Sequence, residues 1–262
     1  PRLPLVWRSP FSAQIGVDPA RVHLNDLTEA QERMLAALSV GVSLPGLAVI
    51  CGGDLTQRDA LLDLLAPVLR SDEQPTRLPV VAVSGTHPVA RQLATLLAAS
   101  DVQVILGETV TDLDDAVVDA AVVVGAFVLP PATHSSWLRR DVPHLPVVAS
   151  DTGVTVGPMI EPGTGACLLC LELHHRDADP AWPAIATQLL GRAGAIESAL
   201  VTAEAAVSAA RLVLRRLGGA DDLAESVRID AASGEQTARH WHPHPECGCR
   251  GISHLVAVGS AT

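Results

Sequence analysis

Apolar and polar positions alternate at the start of the chain and then take up helical spacing. Leu5-Val6-Trp7-Arg8 and Ala13-Gln14-Ile15-Gly16-Val17 read as two strands joined through Ser9-Pro10. Thr28 and Gln31 have the spacing of a capping box, so a helix should start there with Leu27, Met34, Leu35 and Leu38 on one face. A second apolar segment, Leu47 to Cys51, leads to another helix from about Gln57 to Arg70, with Thr56 as its expected N-cap and Cys51 as plain core. The polar, acidic stretch 71–76 has the composition of a linker. Residues 1–73 are therefore expected to form a small α+β domain with a winged-helix-like inventory.

A different pattern follows the linker. Pro79 to Ser84 is a continuous apolar run, His87 to Ala99 has helical spacing, and Val102 to Leu106 is apolar again, as in a βαβ unit buried on both faces. Asp119 to Val128 and Leu145 to Ala149 read as further strands around a helical segment near Thr133 to Arg140, and Val154-Thr155-Val156 as one more. From Ala195 to Leu217 a long helix is predicted. Its expected apolar stripe is Ile196, Leu200, Ala203, Val207, Ala210, Leu214 and Leu217, and Gly218-Gly219 ends it. The fold class expected for residues 78–262 is α/β, a Rossmann-like sheet with helices on both faces.

Composition narrows the chemistry. Of 262 residues 48% are apolar and 18% charged, enough to build a core, but only six are aromatic, so stacking on bases or sugars is not the main recognition device. All 18 cations are arginine, which excludes a Walker P-loop, a pyridoxal Schiff base and a lysine base. A net charge of -11 opposes binding to nucleic acid or an anionic membrane. Residues 1–75 hold six arginines against nine acids, so the winged-helix inventory has no basic face for DNA. The longest apolar stretch, Ala116 to Leu129, is interrupted by Asp119 and ends in prolines, and no export signal precedes it. A cytoplasmic chain, processed or trimmed before Pro1, is expected.

Cys167-x-x-Cys170 and Cys247-x-Cys249 are the sharpest chemical signal. Zinc takes four soft ligands in a tetrahedron, and paired thiolates on two turns close such a shell across a long intervening segment. Pro162-Gly163-Thr164-Gly165 permits the tight turn before the first pair. Because C-x-C is tighter than C-x-x-C, His240, His242 or His244 stands as an alternative fourth ligand, and buried free thiols or disulfides as the alternatives to a metal. A closed shell leaves no position for water, so the zinc would be structural. His174-His175 should lie on a helix, and His240, His242 and His244 on one side of an extended segment. Asp112, Asp114 and Asp115 read as a solvated turn.

The second signal is a turn after the first apolar strand of the βαβ unit, Ser84-Gly85-Thr86-His87-Pro88. Nucleotide-binding turns use several glycines so that the backbone can approach phosphate at a helix N-terminus. Here Gly85 stands alone and Pro88 removes an amide. Gly85 and Thr86 remain as the candidate nucleotide contacts, with Glu108 or Asp101 as the acid near the end of the next strand.

Together with Gly153-Val154-Thr155-Val156-Gly157-Pro158, Cys167-Leu168-Leu169-Cys170 and the segment Cys167 to Pro183, these features resemble the E1-like activating enzymes of the ThiF and MoeB superfamily. The branch they resemble most is the bacteriocin-biosynthesis cyclodehydratases, which is associated with thiazole and oxazole peptide maturation. The resemblance covers 78–262. It implies an E1-type sheet with a structural zinc on Cys167, Cys170, Cys247 and Cys249, and a winged-helix-like peptide-recognition unit at 1–73. It also implies ATP held by a glycine-rich turn and magnesium held by a later Asp, where this chain has Gly125-Ala126. With those groups missing, the expected function is a zinc-stabilised, non-catalytic protein. It would bind a peptide or protein, as a possible homodimer, beside a separate modifying enzyme, with no catalytic residues of its own. An ATP-dependent adenylyltransferase or cyclodehydratase component is the alternative.

Overall fold

The computed structural model describes residues 3–69, 77–193, 198–221 and 223–250, so the linker at 71–76 and Ile196 lie outside the described residues. The chain divides into two compact units, Pro1–Thr76 and Arg77–Thr262.

In the first unit β1 (Leu5–Ser9), β2 (Ser12–Ile15) and β3 (Val22–Leu24) form an antiparallel sheet in that order. Three residues are too few to show a period, so β3 escaped the sequence pattern. The capping box forms as expected. Thr28 and Gln31 each accept the other's backbone amide at the start of α1 (Glu29–Val40). The apolar segment after it is itself a helix, α2 (Leu44–Ile50), capped by Ser43. The next helix departs from expectation at both ends, because α3 spans Leu55–Leu65 and Asp54, not Thr56, caps it by accepting from the Gln57 amide. A carboxylate two residues upstream satisfies that amide, leaving Thr56 inside the first turn. Met34, Leu35, Leu47, Leu61 and Leu65 meet in the core around Ala13. Cys51 belongs to it, its thiol directed at the carbonyls of Ala48 and Asp54.

The second unit is built on a seven-stranded sheet. Its strands are β4 (Val80–Ser84), β5 (Gln103–Gly107), β6 (Ala120–Ala126), β7 (His144–Ala149), β8 (Gly153–Val156), β9 (Glu225–Asp230) and β10 (Gln236–His240), in the order β10-β9-β8-β7-β6-β4-β5. The neighbours β5, β4, β6 and β7 run parallel, and pairing from β7 outward is antiparallel. Polar β9 and β10 have no apolar run and were not read from the sequence. They join through main-chain pairing, which composition does not encode.

Helices cover both faces. Helix α4 (Pro88–Ala98) and α8 (Ala199–Leu217) pack on the face carrying Val81, Val83, Val122, Leu145 and Val147. On the other face Trp137 of α5 (Pro131–Arg139) is wholly buried beside Ala82, Ala121 and Val123, with Leu168 and Leu171 of α6 (Leu168–Ala178). A short helix α7 (Trp182–Leu189) follows α6. The expected stripe on α8 is met only in part: Ala210 is buried and Leu214 and Leu217 pack against the core, but the rest of the buried face lies about one residue away. Leu200 is 76% exposed, whereas Val201, Thr202, Ala205, Ala209 and Val213 are buried. Alanines all round the helix blur its two faces in the sequence, and in the fold Ala205, Ala206 and Ala209 allow close approach to α4 and the sheet.

Candidate functional site

Cys167 occupies the N-cap of α6 and Cys170 its first turn, after a loop in which Gly163 and Gly165 take positive φ of 76° and 64°. The C-terminal pair arrives on the loop after β10. Their four Sγ atoms lie within 4.8 Å of one another, with Cys167–Cys170 at 3.7 Å, Cys167–Cys247 at 3.6 Å and Cys170–Cys249 at 3.6 Å. A tetrahedron with zinc–sulfur bonds of about 2.3 Å has edges of about 3.8 Å, so the group matches a four-thiolate shell. It does not match disulfides, whose sulfurs lie about 2.05 Å apart. Burial pushes the thiols of Cys167 and Cys249 up, the latter to about 11. Burial also acts on Cys170, but backbone amides of His244 and Cys167 directed at its sulfur, with the neighbouring thiols, bring it below the ordinary thiol range. Bound zinc would supply the positive charge that lets all four sulfurs ionise, and it would have no open position for water.

Among the described residues no histidine takes a place beside the four sulfurs. The side chain of His244, 2% exposed, donates from Nε2 to Asp177 Oδ2 at 2.7 Å and accepts at Nδ1 from the Glu246 amide at 3.1 Å. His174 donates from Nε2 to the carbonyl of His242 at 2.9 Å. His240 and His242 are exposed with ring centroids 4.6 Å apart, whereas His244 is buried. The three imidazoles therefore do not share one side, because β10 ends at His240 and the chain bends through Pro243 and Pro245. His175 lies edge-on to Trp182 and Trp241, and burial pushes its imidazole down to about 4. Sequence reading passed over Asp177. Its signal was the spacing Cys170, His174, Asp177, which repeats one helix face at intervals of four and three.

A second feature is a cleft of about 800 Å³ at the carboxyl ends of β4, β5 and β6. It is a topological switch point, since β5 and β6 flank β4 on opposite sides. Gly85, Thr86, Glu108, Asp114, Arg139 and Arg192 line it. Gly85 has φ of 123°, and a Cβ there would stand 2.1 Å from the Val124 carbonyl oxygen, so only glycine fits this turn. Its amide donates to the Gly107 carbonyl at 3.1 Å. The first turn of α4 is also closed. Pro88 has no N–H, the Val89 amide donates to the His87 ring, and the Ala90 amide donates to the His87 carbonyl. The first turn therefore leaves neither the Val89 nor the Ala90 amide free for a phosphate. The acids at 112–115 form a turn in which Asp112 accepts from the Thr109 amide.

Sheet order, switch-point cleft and four-cysteine group make up an α/β fold of the kind that the resemblance of the motifs to the E1-like class implies. The solved structures it matches carry the same fold. The heterocyclase TruD aligns with 98% of this chain at a TM-score of 0.66 and 18% identity. A heterocyclase in complex with substrate and cofactor aligns with 96% at 0.66 and 15%, and E. coli MccB with 95% at 0.56 and 12%. The chain spans 43% and 39% of the two heterocyclases and 94% of MccB. At these identities the likeness is one of fold. No protein-family model matches the sequence. A search of curated proteins finds no match either.

Proposed function

We propose that this chain is a zinc-stabilised, non-catalytic E1-like protein that binds a peptide or protein partner and presents it to a separate modifying enzyme. The winged-helix-like unit at 1–73 captures the partner, and the unit at 78–262 serves as the docking and dimerisation platform. The likeness in fold to two heterocyclases, one solved with substrate and cofactor, together with the motif resemblance, supports peptide modification as the setting. One observation carries the reading. Among the described residues β1 pairs only with β2, leaving its other edge free, and β1 and the turn after it expose Val6, Trp7 and Phe11. A groove of about 360 Å³ beside it is lined by Trp7, Arg8, Ser9, Pro10 and Glu32. An open edge offers main-chain hydrogen bonds to an extended peptide, and the groove offers a pocket for a side chain.

A second reading, an ATP-dependent adenylyltransferase, is favoured by the 800 Å³ cleft with Glu108 and two arginines on its walls. The closed first turn of α4 ranks it second. The test is titration of the intact chain with a labelled peptide encoded beside its gene, in parallel with ATP–magnesium calorimetry. Saturable peptide binding, weakened at least tenfold by Trp7→Asp, with no ATP heat, is expected. Saturable ATP binding with pyrophosphate exchange reverses the ranking, and peptide binding indifferent to Trp7→Asp overturns the first reading.

A further inference from the structure

Two cysteines on a loop after the last strand must be brought to two on a helix almost eighty residues earlier. A metal binds four such thiols tightly only if the loop is held near its final position, because otherwise the ion bears the whole entropy of ordering it. Apart from the sulfurs, the segment 242–246 is tied to α6 at several points. His174 donates to the His242 carbonyl at 2.9 Å, and its ring meets the His244 ring at a centroid distance of 4.9 Å. One turn further along the same face, Asp177 accepts from His244 Nε2 at 2.7 Å. Arg176 reaches Glu246 at 2.8 Å.

His244 is the hub. Its carbonyl accepts from the Cys247 amide at 3.0 Å. An amide can only donate, so the Glu246 N–H fixes Nδ1 as an acceptor and Nε2 as the nitrogen that bears hydrogen toward Asp177. Both ring nitrogens are thus committed, and the ring orientation sets the backbone carbonyl that holds the Cys247 amide.

We infer that Asp177 and His244 are positioning residues for the thiolate tetrad: the clamp between them fixes the loop that delivers Cys247 and Cys249, before any metal binds. The zinc part of this inference rests on the four-thiolate reading, but the clamp does not. Outer groups that orient ligands change metal affinity by about ten- to a hundredfold.

The experiment uses the intact chain with Asp177→Ala, His244→Ala and the conservative Asp177→Asn, which keeps an acceptor for Nε2. Asp119→Asn, remote from the centre, is the stability control. Zinc affinity is measured by chelator competition, the cobalt charge-transfer band reports the ligand set, and thiol alkylation is timed in metal-stripped protein. Both alanine variants should lose about ten- to a hundredfold in zinc affinity with the four-sulfur cobalt band unchanged. Their stripped thiols should alkylate faster, Asp177→Asn should recover most of the loss, and the control should behave as wild type. Wild-type affinity and alkylation rates in the alanine variants, or an equal loss in the control, overturn the clamp. If wild-type protein takes up no zinc, the metal reading fails, and the alkylation rates alone decide whether the clamp exists.

Discussion

The sulfurs of Cys167 and Cys247 stand 3.6 Å apart although 80 positions separate them in the chain. The contact joins the N-terminus of α6 to the loop beyond β10, at one edge of the larger sheet. Whatever holds these sulfurs together also holds the end of the described chain to its middle.

Metal removal should therefore loosen the second unit. Metal analysis is expected to give one zinc per chain, and Cys170→Ser should lose it stoichiometrically, with a drop in Tm of several degrees. A chelator should reproduce that drop in the wild type and have no further effect on the variant. Full retention of Tm in the metal-free variant would contradict the structural role.

Acid sensitivity should trace in part to His144. Its ring is fully buried, Nδ1 donates to the Val142 carbonyl at 2.9 Å, Nε2 has no partner among the described residues, and burial pushes its pKa down to about 4. A folded value below the unfolded one of about 6.5 means that the unfolded chain takes up the proton first. The associated stability is complete above pH about 6.5 and is lost as pH falls toward 4, on the order of 3 kcal/mol in all. Denaturant melts of His144→Phe across that window should show a flatter slope than wild type. His175, lowered to about 4, keeps part of the slope in place.

Gly85→Ala should destabilise by about 2–4 kcal/mol, from a Cβ driven into the Val124 carbonyl and a positive φ. The loss should appear in urea melts without ATP, which separates a role in the turn from one in nucleotide binding. A variant of wild-type stability would show that the turn has room to shift.

The helix cap in the first unit offers a paired comparison. Asp54→Ala removes the acceptor of the Gln57 amide and should cost about 1 kcal/mol, whereas Thr56→Ala, inside the helix, should change stability little. The reverse ranking in chemical denaturation would return the cap to Thr56.

What the sequence determined by itself was whatever a few neighbouring residues can enforce. The apolar runs that became β4 through β8, the Thr28–Gln31 capping box and the two cysteine doublets depend on local period or on a side chain's own chemistry. They were legible on those grounds. Tertiary structure decided the rest, since long-range partners carry no local period. Strands β9 and β10 exist because β8 offers a main-chain edge, α8 buries Val201 and Val213 because α4 and the sheet select that face, and His244 serves as a clamp because α6 places Asp177 opposite it. Closure of the α4 terminus was half visible in Pro88. The other half, the His87 ring turned back onto the Val89 amide, is a rotamer that only the packed structure fixes.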